Sequence, residues 1–196
     1  MRNSEILILT EAKNTNPNGD PSNENKPRFL DDGRVEITDL RLKRYIRDYI
    51  DQFTDKEVAV KSIDEVSETS LSSLLKKYNE DFNFDNKDNK ENEFLQKYVD
   101  IPLFGLVTGS AKHKEIAYLK PNYYGTVQYQ YGISLNKPQP KDIDVSPVTG
   151  TLGKDYRIDY GVFAFYGVVN KKTADQYEML DDNFITNLDK WTIKSI

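Results

Sequence analysis

The 196-residue chain has no cysteine, a single histidine and no apolar run near the eighteen residues that a membrane-spanning helix requires. Without cysteine, disulfides and thiolate chemistry are excluded. The lone histidine, His113, sits in the polar run TGSAKHKEI and reads as a solvated loop residue. A catalytic triad or zinc centre needs partners that the sequence does not supply. The opening MRNSEILILT is too short and too polar for a signal peptide, so the chain is read as cytoplasmic, and no cofactor is expected.

An excess of positive charge is missing as well. The net charge of −5 argues at first against a nucleic-acid binder, because neutralising phosphates takes surplus Lys and Arg. The acidity is local, however. Residues 1–50 carry nine basic and nine acidic side chains, residues 51–100 seven and thirteen, and residues 101–196 eleven and ten. If the middle segment is an insertion, the remaining chain is near neutral and can present a basic face.

Turn-forming residues, by contrast, are concentrated. NTNPNGDPSNENKPR, Asn14 to Arg28, holds five Asn, three Pro and one Gly directly behind the apolar run ILILT. The plain reading is a surface loop with tight turns. An EF-hand reading fails, because the position of the bidentate ligand falls on Asn25 and the early ligands carry no charge. A third reading is a gripping loop whose amides and cations, Lys26 and Arg28, hold an anion.

Residues 4–10 predict a buried strand. Thr38 to Phe53, TDLRLKRYIRDYIDQF, predicts a helix capped by Thr38, with Leu42, Tyr45, Ile46, Tyr49, Ile50 and Phe53 packing and Arg41, Lys43, Arg44 and Arg47 forming a basic stripe on the other side. Residues 54–99, which include NEDFNFDNKDNKENE, read as an acidic, partly mobile insertion in a single domain spanning 1–196. GTVQYQYGISL (Gly125 to Leu135) and YGVFAFYGVVN (Tyr160 to Asn170) predict strands, with PVTGTLGKDYR between them as a loop. Ala174, Tyr177, Leu180 and Phe184 keep helical spacing. The order is β-α-β-β-α, an α+β, ferredoxin-like plan with an antiparallel sheet and its last strand absent, WTIKSI being at most a remnant of it. Loss of that strand leaves the edge of the first strand open to another chain.

Several blocks taken in order resemble a known family. They are NPNGDP at Asn16 to Pro21, KPR at Lys26 to Arg28, ITDLRLKRYIRDY at Ile37 to Tyr49, LFG at Leu103 to Gly105, VQYQYGISL at Val127 to Leu135, and GTLGKDYRIDYGVFAFYGVVN at Gly150 to Asn170. Together they resemble the RAMP-superfamily backbone subunit of the type I CRISPR surveillance complex, Cascade, as found in subtypes I-B and I-C. The resemblance implies a ferredoxin-like (RRM-like) palm that polymerises along guide RNA (crRNA), beside other Cascade subunits and copies of itself, and grips the RNA backbone without reading sequence. By residue matching it implies RNA contacts from Lys26, Arg28, Lys43, Arg44, Arg47, Gln128, Ser134, Lys154 and Arg157. The chain departs from the family in two places. Ile133 stands where family members commonly carry Arg in Gly-Arg-Ser-Leu, and the family continues past Ile196.

No catalytic constellation of carboxylates stands out, so the chain is expected not to be an enzyme. The competing expectation is a truncated backbone mimic that docks on Cascade subunits and blocks their assembly, an anti-CRISPR type of inhibitor.

Overall fold

The computed structural model describes residues 2–60, 90–107, 119–120, 122–145, 153–177, 180 and 182–196. His113 and most of the acidic segment, 61–89, lie outside the described residues. The chain divides into two compact units, one formed by Glu5–Leu42 with Tyr129–Val168, the other by Met1–Ser4, Lys43–Gln128 and Val169–Ile196.

The first of these units is a sheet. Its strands are β1 (Ser4–Thr15), β2 (Gly19–Asp20), β3 (Lys26–Phe29), β4 (Val35–Ile37), β8 (Gly132–Ser134), β9 (Pro140–Val145) and β10 (Gly153–Val169). They follow the order β1-β10-β8-β4-β3-β2, with β9 also paired to β10. The third strand of the predicted plan, β10, thus lies between the first, β1, and the second, β8, which is the neighbour order of a ferredoxin-like palm. The β10–β8, β10–β9, β8–β4, β4–β3 and β3–β2 pairings are antiparallel.

β10 is far longer than the expected run from Tyr160. Its first residues, Gly153 to Ile158, pair with Val145 to Pro140, and further along Phe163 faces Ser134. Antiparallel pairing with β9, the strand just before it in sequence, overrides the turn-like composition of GKDYR. Phe163 and Phe165 are buried on one side of β10, and Val35, Ile37 and Ile158 are buried with them. Ser134, fully buried, ties two strands: its hydroxyl accepts from Val35 N at 2.9 Å and donates to Asn136 O at 2.7 Å.

The other unit carries most of α1 (Asp39–Phe53), then α2 (Lys90–Lys97), α3 (Asp100–Phe104), the β5 (Gly105–Val107) and β6 (Asn122–Tyr124) pair, the start of β7 (Val127–Tyr129), α4 (Lys171–Ala174) and α5 (Asp182–Ser195). The single strand expected over Gly125 to Leu135 is therefore two, β7 and β8. WTIKSI is no strand remnant: α5 runs through Ser195, with Leu188 and Trp191 buried. Both described ends of the acidic segment pack, since Val58, Ala59, Phe94 and Leu95 are buried.

Helix α1 starts where expected, with the Thr38 hydroxyl accepting from Arg41 N at 3.2 Å. Its buried face differs from the predicted one. Leu42, Ile46 and Ile50 are buried as expected, but so are Lys43 and Arg47, while Phe53 is exposed. Arg47 is held in by Asp100, wholly buried at the start of α3. Asp100 accepts from Arg47 Nε at 2.9 Å, Ala59 N at 2.7 Å and Val60 N at 3.2 Å. The guanidinium also lies 5.0 Å from the centre of the Phe104 ring.

Candidate nucleic-acid interface

The Asn-rich stretch is an ordered hairpin. Gly19 pairs with Pro27 and Asp20 with Lys26, and the turn between them bends at Glu24 and Asn25, which adopt left-handed φ values of 51° and 59°. Four hydrogen bonds help hold that turn: Asn25 N donates to Asp20 O at 2.8 Å, Asn16 Nδ2 donates to Asn25 O at 2.6 Å, and Ser22 N and Oγ both donate to Asp20 Oδ1. Gly19 is required, because a Cβ there would meet the backbone oxygen of Asn25 at 2.7 Å. Asn18 anchors the hairpin, its Oδ1 accepting from Thr38 N at 2.8 Å and Thr38 Oγ1 at 2.9 Å. The abundance of Asn thus has separate structural uses for Asn16, Asn18 and Asn25.

Beside the hairpin lies a cavity of about 460 Å³, lined by Lys26, Arg28, Phe29, Tyr156 and Arg157 together with Asp20, Glu36 and Asp142. Three of the nine sequence-predicted RNA residues meet here, brought together from β3 and β10. Each already has a carboxylate partner. Lys26 Nζ is 2.8 Å from Glu24 Oε2, Arg28 Nη2 is 3.3 Å from Asp20 Oδ1, and Arg157 Nε donates to Asp155 Oδ2 at 2.7 Å. Lys26 also lies 4.8 Å from the Tyr156 ring centre, and the Tyr156 hydroxyl donates to Glu24 Oε2 at 2.8 Å. Hydrogen bonds from Lys26 first and Tyr156 second hold the Glu24 carboxyl below its usual range, and the same ion pair raises the Lys26 ammonium. Arg28 Nε is buried without a hydrogen-bond partner among the described residues.

The other predicted residues stand elsewhere. Lys154 is exposed on β10, close enough to Glu24 to act on its charge. Arg44, on α1, pairs with Asp48 one turn on at 2.9 Å. Lys43 and Arg47 are buried rather than set on a solvated stripe, and Ser134 is committed to the sheet. Gln128 donates to Gly125 O at 3.0 Å. Sequence reasoning missed Asp142 and Tyr156 as cavity residues and Glu24 as the partner of Lys26 and Tyr156 beside it. Tyr156 had a signal, sitting beside Arg157 in the GKDYR block, but Glu24 and Asp142 belong to partnerships that only strand pairing creates.

The strand order defines this chain as an α+β protein built on a ferredoxin-like palm. Residues 2–195 match the family described as CRISPR-associated protein Cas7, and the chain belongs to that family. A relative described as CRISPR-associated protein Cas7, from Haloferax volcanii, is 29% identical over 201 residues, covering 89% of this chain. The chain spans 58% of that relative's length. Among solved structures, a chain of a CRISPR RNA-guided surveillance complex in a pre-nicking state is similar, with a TM-score of 0.48, 11% identity, and coverage of 98% of this chain and 71% of that one.

Proposed function

We propose that this chain is a backbone element of a type I CRISPR surveillance complex, of the I-B/I-C kind within the RAMP superfamily, which binds guide RNA through its sugar-phosphate backbone. Family membership supports the reading, and the observation that carries it is the meeting of Lys26, Arg28 and Arg157 around one cavity. Cations of this sort position a phosphate chain and carry no sequence information themselves, so binding is independent of base sequence. The role is non-catalytic and cytoplasmic, with copies of the same subunit and other Cascade subunits as partners. RNA contacts fall on Lys26, Arg28, Lys154 and Arg157, whereas Arg47 and Ser134 serve by holding α1 and the sheet.

The test is a titration of the purified protein into fluorescently labelled CRISPR repeat-spacer RNA, read by anisotropy at several salt concentrations. Binding at micromolar or better that weakens steeply with salt, equally for a scrambled sequence, is expected. Absence of binding at low salt overturns the proposal.

A further inference from the structure

The cations of the hairpin cavity are not waiting bare for an anion. Lys26, Arg28 and Arg157 are each held by a carboxylate, from Glu24, Asp20 and Asp155 respectively. Of these partners Glu24 is the most deliberately placed. It sits at φ 51°, with Asn25 next to it at φ 59°, two successive left-handed residues neither of which is glycine. Backbone of this kind is uncommon outside glycine, and here it persists because Asp20 O, Asn16 and the close approach of Gly19 fix the turn. The turn aims one carboxylate oxygen at two groups together, Lys26 Nζ and the Tyr156 hydroxyl, both at 2.8 Å.

We propose that Glu24 is an affinity-setting residue that masks Lys26, so that the cavity accepts a polyanionic strand only by exchanging carboxylate for phosphate at several cations at once. The inference rests on the guide-RNA reading above and names the ligand class the cavity selects. The argument is one of exchange. An exposed ion pair contributes little net stability, so it yields to a competing anion. A lone phosphate that displaces one carboxylate swaps like for like and leaves the displaced carboxylate nearby to repel it. A strand offers phosphates to Lys26, Arg28 and Arg157 together, so a single loss of translational freedom is spread over several contacts. Masking also lowers the number of cations that act as free charges, and with it the salt dependence.

The experiment compares wild type, E24Q, K26M and the double variant E24Q/K26M, using labelled single-stranded CRISPR repeat RNA and a competing mononucleotide, with acetic anhydride labelling of Lys26 read by mass spectrometry without RNA. Gln keeps the size of Glu and an acceptor for Tyr156, so the turn survives the change. E24Q is expected to bind RNA roughly threefold to tenfold tighter, with a log–log salt slope steeper by about 0.7. Its Lys26 acetylates faster, and the mononucleotide competes better against RNA than it does with wild type. K26M weakens binding and abolishes the gain in the double variant. RNA binding by wild type with no gain in E24Q, or unchanged Lys26 reactivity, overturns the mask alone. Failure of all four proteins to bind RNA at low salt overturns the guide-RNA reading and the ligand class with it, whatever the lysine reactivity.

Discussion

At the scale of single residues, Asp100 decides where Arg47 of α1 goes. Its carboxylate has no exposure, and its three donors come from α1 and from the segment just after it. Arg47 matched the cationic spacing of a solvated stripe, and nothing within a helical turn of it in sequence indicated otherwise. Its partner lies 53 positions away. Periodicity reports local neighbours, and an ion pair closed over that distance leaves no local trace. Removing Asp100 strands a buried guanidinium and two backbone amides. Asp100→Ala is therefore expected to cost roughly 3–5 kcal/mol in urea denaturation, as the breaking of buried pairs does. Arg47→Met, which replaces the cation by an apolar chain of similar length, should cost clearly less, although it leaves Asp100 with its two amide donors. Equal losses in the two variants would show that the pair is not the source of the stability.

Among the elements, the hairpin of β2 and β3 shows how far composition reaches. Asn, Pro and Gly in such density correctly signalled turns, but composition alone leaves open whether those turns are ordered. Order comes from what each side chain contacts, and Asn18 gives the clearest case. It binds the Thr38 amide and hydroxyl, and the same hydroxyl caps α1 by accepting from Arg41 N. Asn18→Ala removes both acceptor contacts from a part-buried site. It should destabilise the fold by about 1–3 kcal/mol and loosen the start of α1, read as faster amide exchange at Leu40 to Lys43. Asn16→Ala serves as the control, because its contact stays within the hairpin, and exchange at α1 should not change. Equal exchange in both variants defeats the anchor role of Asn18. Strand β10 teaches the converse lesson. Its central apolar run was legible from Tyr160 onward, but its first seven residues are strand because β9 pairs with most of them. Likewise, the order of β1, α1, β8, β10 and a last helix was legible from apolar runs, while the short strands β2 to β6, β9 and the split of β7 from β8 were not.

For the molecule as a whole, charge is the property most open to measurement. Asp20, Glu24, Asp32 and Asp159 all titrate below the usual carboxylate range. The leading causes are the Ser22 hydroxyl for Asp20, Lys26 for Glu24, the Arg34 amide for Asp32 and the Gln139 amide for Asp159. A depressed folded value means that the ionised form is favoured in the native state. The resulting stability is fully present above the unfolded carboxylate values and disappears as pH falls through the lower folded ones. All four groups belong to the unit formed by Glu5–Leu42 and Tyr129–Val168, so acid should loosen that unit.

Alkali acts through other groups. Tyr123 and Tyr177 are buried, and loss of solvation is the main reason that each phenol titrates above the ordinary tyrosine range. Tyr123 donates to Glu91 Oε1 at 3.0 Å and accepts from Lys120 N at 2.9 Å, while Tyr177 donates to Tyr124 O at 2.9 Å. Here the sign reverses. Folding favours the neutral phenol, so the contribution is complete below the ordinary tyrosine value and is lost as pH rises through the raised ones. Both residues lie in the unit containing Lys43–Gln128 and Val169–Ile196, and Tyr156 and Tyr160, raised chiefly by their hydrogen bonds to Glu24 and Glu11, and Tyr166, raised chiefly by burial, lie in the other, so alkali acts on both units. Thermal midpoints should therefore hold steady from about pH 6 to 9 and fall on either side. Absorbance at 295 nm should show one group of tyrosines ionising near pH 10 and a second group only together with unfolding. In Tyr123→Phe/Tyr177→Phe the delayed group should shrink while the acid limb keeps its position. A delayed group of undiminished size would place the alkaline transition on other tyrosines.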